Sequence, residues 1–186
     1  MRNERIKSIF WLSVIASWIS GLAIGKWYGR NSILIDLSKA VRVPTFSFFG
    51  TWWEIILYFT LSTVAIFVLS HILFGIGGAV FLFARGIHDS TLLIYLEDII
   101  QSWSVFSIPM SEVLRVIFVV LIFAVNIPLS LWSGKLGIQS SIYTLNRIKG
   151  EPVSPDFGSE PLSKLLIIVS ASLVTGFVAA LIFHHL

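Results

Sequence analysis

The chain has 186 residues, of which 56% are apolar and only 12% charged. Soluble domains carry about 25% charged residues, so this balance points to an integral membrane protein. The formal charge of +3 comes from scattered basic residues rather than a dense patch, which gives nucleic acid binding no footing, and the absence of cysteine excludes a disulfide framework and thiolate chemistry.

Met1 to Lys7 is short and carries Arg2, Arg5 and Lys7. Ser8 to Gly25 follows without a charge. At 1.5 Å per residue it makes a helix of about 27 Å, enough for a thin or locally adapted bilayer. A signal peptide is the rival reading. No small-x-small cleavage site follows, however; Lys26, Trp27 and Tyr28 read as an interface anchor, so the span is expected to be retained. Ser17, Gly21 and Gly25 recur every fourth residue and can seat another helix closely. Residues 29–53 form a connector with Arg30, Asp36, Lys39, Arg42 and Pro44. In it, Ile33, Leu34 and Leu37 make a short interfacial face. Phe46, Phe48, Phe49, Trp52 and Trp53 make an aromatic cluster, suited to headgroup anchoring or, alternatively, to a partner.

Ile55 to Ala84 holds no acid or base except His71. One straight helix there would be about 45 Å long, against a hydrocarbon core of about 30 Å. Gly75, Gly77 and Gly78 mark the natural break, giving one span near Glu54 to Ser70 and another near Ile76 to Leu96. The rival keeps 54–84 as one tilted helix and leaves Arg85 at the surface. In the split reading Arg85, His88 and Asp89 lie at membrane depth as a candidate polar cluster. Such groups turn from lipid toward the bundle interior or a wet cleft. Arg85 and Asp89 are four apart and share a helix face, so pairing lowers the cost of both. His88 changes charge near neutral pH if solvent reaches it.

Leu92 to Phe106 reads as an amphipathic continuation at the interface, with Glu97 and Asp98 on its wet side. Pro109 and Ser111 open the next helix, with Glu112 in its first turn. Val116 to Gly134 is uncharged but interrupted by Asn126 and Pro128, a second candidate break. Proline frees a backbone carbonyl, which Asn126 can satisfy unless it bonds a neighbouring helix instead. Breaks of this kind also occur at transport sites. Leu136 to Lys149 is a second amphipathic segment, and residues 150–161 read as a loop. Leu165 to Phe183 is the last span, with Ser172, Gly176 and Ala180 on one small face. His184 and His185 alone do not define a metal site.

The expected fold is all-α: a polytopic membrane helical bundle of five transmembrane helices with short amphipathic interfacial helices, forming one domain over 1–186. Five crossings put Met1–Lys7 and Lys135–Lys164 on one side, and the positive-inside bias makes that side cytoplasmic. The acidic Glu97–Glu112 connector then falls outside, as do Arg30, Lys39 and Arg42.

The stretches WLSVIASWISGLAIGKWYG, FLFARGI, Ile108–Pro109 and SGKLGIQSSI, with a final polar-to-apolar helix, resemble the stage II sporulation protein M family over about the whole chain. Arg85 stands where that pattern has an asparagine, and His88 and Asp89 replace smaller or more apolar residues. The resemblance implies a non-enzymatic scaffold or complex subunit, linked to envelope remodelling, that meets membrane lipids and other integral membrane proteins or itself. No Walker, zinc-protease or nucleophile-elbow motif is present, so neither catalysis nor a cofactor or metal is expected. The alternative is a small transporter or channel subunit that uses Arg85, His88 and Asp89, with Asn126 and Pro128 as a facing break.

Overall fold

The computed structural model describes residues 2–28, 51–102, 109–150 and 156–184. The expected interfacial face at 33–37, most of the aromatic cluster at 46–53, the end of the Leu92–Phe106 stretch and His185 lie outside the described residues. The described chain is helical: α1 (Arg2–Tyr28), α2 (Trp52–Ile72), α3 (Ile76–Ser102), α4 (Met110–Leu121), a π-turn (Ile122–Asn126), α5 (Ile127–Ile148) and α6 (Asp156–His184). Among the described residues four stretches are long and apolar enough to cross a membrane: Trp52–Ile72, Ile76–Gln101, Met110–Ile148 and Pro161–His184.

The bundle buries many polar side chains within its apolar core and turns many large apolar ones outward. Ser130, Ser133, Ser172, Thr63 and Asn126 are fully buried, whereas Leu166, Ile167 and Val80 are each more than 60% exposed. In water that distribution would waste most of the hydrophobic driving force. In lipid it leaves apolar side chains where the solvent is apolar.

α2 and α3 form a tight antiparallel hairpin. α2 ends as Gly75 N–H donates to the carbonyl of Ser70 at 2.8 Å, a six-to-one closure of the last turn. Phe74 takes φ +49° and Gly75 φ +90° to make it. Glycine tolerates that conformation; Phe74 adopts it at a cost of about 1–2 kcal/mol. Gly77 and Gly78 do not bend the chain. They are helical, and bring the start of α3 onto the Leu69 carbonyl and the Ser70 hydroxyl.

Side-chain pairs fix the direction of each remaining helix. Trp18 meets Asp89 and Lys26 meets Glu97, so α1 and α3 run parallel. Asn126 reaches Phe59 and Ser133 reaches Thr63, so α5 runs parallel to α2. Thr63 meets Ser172 and Gly176 packs on Ile56, so α6 runs against α2. The small residues make these approaches possible. A Cβ on Gly21 would stand 2.2 Å from the Phe83 carbonyl, and one on Gly86 2.3 Å from the Trp18 carbonyl. The Ser17–Gly21–Gly25 face thus seats α3 of the same chain.

The two amphipathic stretches are not separate interfacial helices. Residues 92–102 continue α3 without a break, and residues 136–148 are the second half of α5. Apolar stripes on both are used for packing: Leu92 joins the core around Phe59 and Ile122, and Ile138 joins Val14, Ile66 and Leu82. From Met110 to Ile148 the chain is one rod of 39 residues, about 58 Å long. Its end therefore projects beyond a hydrocarbon layer of about 30 Å.

Two outcomes test this arrangement. Gly86→Leu should destabilise the detergent-solubilised protein by about 1–3 kcal/mol or more, because the contact is with backbone that cannot turn aside; thermal unfolding reads it. The chain has no native cysteine, so Asp98→Cys and Lys149→Cys can be labelled singly. An impermeant thiol reagent applied to sealed vesicles should reach only one of the two without lysis. Equal labelling of both from one side would contradict the helix directions.

Candidate functional site

Arg85, His88 and Asp89 lie midway along α3 and are 2%, 1% and 0% exposed. The Arg85 Nε stands 3.6 Å from Asp89 Oδ2, one helical turn on. That contact is long and single, not the two-pronged clasp a guanidinium can make with a carboxylate. The other arms of Arg85 go to α5 and the π-turn. Nη1 donates to Ser130 Oγ at 3.0 Å, and Nη2 donates to Asn126 Oδ1. The Tyr58 ring of α2 lies 5.3 Å from the guanidinium carbon, within cation–π range. α1 supplies Trp18, whose indole N–H donates to Asp89 Oδ2 at 3.0 Å.

The π-turn is what aims Asn126. Pro128 has no N–H, and in a regular helix its ring would press on the carbonyl four residues back. The chain relieves this by widening: the N–H of Ile127 donates to the Ile122 carbonyl, five residues earlier. Asn126, at the end of the widened turn, is fully buried and spans two partners. Its Oδ1 accepts from Arg85 while its Nδ2 donates to the Phe59 carbonyl at 3.3 Å. That carbonyl also accepts from Ser172 Oγ of α6 at 2.8 Å and from Thr63 Oγ1 at 3.2 Å. A polar chain thus runs from α6 through α2 and the π-turn to the charge pair on α3, and on to α1.

Among the described residues some polar atoms of this centre have no hydrogen-bond partner: both ring nitrogens of His88, Asp89 Oδ1 and Arg85 Nε. Buried polar groups are usually satisfied, and each exception calls for a reason.

The sequence-derived candidates separate into two places. Arg85, Asp89 and Asn126 come together; His88 adjoins Asp89 in the chain, and its ring nitrogens have no hydrogen-bond partner among the described residues. Pro128 acts through the backbone and is exposed on the far side of its helix. Gly75, Gly77 and Gly78 sit at the end of the α2–α3 hairpin, away from the cluster. Trp18, Tyr58 and Ser130 belong to the centre and went unread. Ser130 was accessible, because it lies four residues after Asn126 on the same face. Trp18 and Tyr58 carried no signal beyond apolarity. The described residues hold no group of three or more metal-ligating side chains. A groove of about 300 Å³ opens between α1 and the start of α3, lined by Ser13, Ser17, Ala79 and Phe83; it lies toward the hairpin turn.

Compared with protein-family models, curated proteins and solved structures, the chain matches none. Nothing in these comparisons ties it to the stage II sporulation protein M family. Fold and site define a polytopic, all-helical membrane protein with a charged centre in its bundle.

The centre predicts a non-additive response. Arg85→Met or Asp89→Leu alone should each cost about 3–5 kcal/mol, because the remaining partner is left buried and uncompensated. The double variant should recover much of the sum, and denaturation of the four proteins in one detergent measures the coupling.

Proposed function

We propose that this chain is a small membrane transporter or channel subunit whose path passes the Arg85–Asp89 centre. The bundle, on this reading, crosses the bilayer five times with its N terminus in the cytoplasm. One observation carries it: a charge pair at mid-depth, contacted from α1, α2 and α5, with polar atoms of His88 and Asp89 that have no hydrogen-bond partner among the described residues. Ionisable groups within a span are costly and mark ion or substrate routes. A helix disturbed at the same level, as α4–α5 is at Asn126, is a further feature of transport sites.

The scaffold reading needs a face for a partner. The small-residue faces that suggested one are occupied within the chain: Gly21 and Gly25 by α3, and Ser172 and Gly176 by α2. The outward apolar residues, such as Leu166 and Ile167, suit lipid. A buried ion pair contributes nothing to docking at that surface.

The helix directions group the N-terminal end of α1, the end of α5 with Arg147 and Lys149, and the start of α6 with Lys164. Positive charge collects on the cytoplasmic side, which supports the orientation. At the opposite end Lys26 is paired with Glu97.

Reconstituted protein is expected to release at least one solute from vesicles loaded with potassium, chloride or a neutral amino acid. Arg85→Ala and Asp89→Ala should lower that flux, with monodispersity and helical content checked for each. Ser130→Ala, a milder change, should reduce it partially. Flux that is the same in all variants as in wild type would rule out a path through this centre.

A further inference from the structure

We propose that the ion handled at this centre is a proton, bound by Asp89; the inference rests on the transport reading above. The geometry separates the two functions of the ion pair. Asp89 uses only Oδ2, toward Trp18 and Arg85, and its Oδ1 has no partner among the described residues. A proton can form an O–H bond there without displacing any existing contact. Arg85 meanwhile is held at Nη1 and Nη2 by Ser130 and Asn126, both neutral. Neutralising Asp89 therefore removes the counter-ion of Arg85 but leaves its two hydrogen-bonded arms and the Tyr58 ring in place.

His88 is a second buried group at this level. It adjoins Asp89 in the chain, is 1% exposed, and neither ring nitrogen has a partner among the described residues. Release from Asp89 breaks its O–H bond and passes the proton to a water molecule, which becomes hydronium; Asp89 is left ionised beside Arg85. No electrons are transferred.

The alternatives fit less well. A metal cation would stand beside the Arg85 guanidinium and would need a shell of oxygens; hard divalent cations take about six or more. The centre offers one free carboxylate oxygen. An anion would have to displace Asp89 from Arg85. Neither has room among side chains that are 2% exposed or less, whereas a proton needs none. The charged and titratable groups around Asp89 are Arg85 on α3 and Tyr58 on α2, with His88 adjoining it in the chain; α1 contributes Trp18, and α5 with its π-turn contributes Asn126 and Ser130, none of which titrates.

Proteoliposomes holding a trapped pH-sensitive dye test this, with a potassium diffusion potential set by valinomycin. Wild-type protein should acidify or alkalinise the lumen, according to the sign of the potential, faster than protein-free vesicles. Asp89→Asn should reduce the rate to that of protein-free vesicles. Infrared difference spectra across a pH step should show a protonated-carboxyl band in wild type that is lost in Asp89→Asn, a readout that a purely structural aspartate would not give. A wild-type proton rate retained in Asp89→Asn would overturn the proposal, as would the absence of that band. So would wild-type vesicles no faster than protein-free ones. In that last case a surviving potassium, chloride or amino acid flux would leave the transport reading standing, and loss of every flux would remove both.

Discussion

A guanidinium and a carboxylate in a lipid-facing bundle set the terms for everything packed around them. Each costs several kcal/mol to take from water, and their attraction offsets this only when further hydrogen bonds complete the site. The Arg85–Asp89 contact is too long and too single to do so alone. Ser130, Asn126, the Tyr58 ring and Trp18 make up the difference. These come from different helices, so none can be displaced far without uncovering charge. The small residues follow from the same need: Gly21 and Gly86 let α1 approach α3 closely enough for Trp18 to reach Asp89.

Backbone and polar side chains share this work with the charges. The Phe59 carbonyl accepts from Asn126, Ser172 and Thr63, and links α6 to the charge pair through neutral groups. Individually such bonds are modest, about 1 kcal/mol each. Together they hold Asn126 in the one orientation that offers its oxygen to Arg85 and its amide to α2.

Much of this architecture was legible in the residues, for physical reasons. Length alone argued against one helix over 54–96, since about 63 Å of helix cannot fit a layer of about 30 Å. Spacing alone put Arg85 and Asp89 on one face. What stayed hidden depends on which helix lies beside which. The small-residue faces announced close packing but not that the partner would be in the same chain. Amphipathic stripes at 92–102 and 136–148 looked interfacial because burial against a protein core and burial in a headgroup layer leave the same pattern. Asn126 and Pro128 flagged a disturbance, yet a proline can produce a kink or a widened turn, and the letters do not say which.

The π-turn has a consequence for the geometry of the whole rod. A residue added to a helix advances everything after it by about 100° around the axis. α4 aims Phe118 toward Phe183 of α6, while α5 aims Ser133 and Gly137 toward α2. The two halves are thus dialled to different neighbours by the five residues Ile122–Asn126. A chain shorter by one residue there would keep its apolar length, its composition and its span boundaries. Its hydropathy profile would look the same, but the helix would meet the bundle with the wrong side.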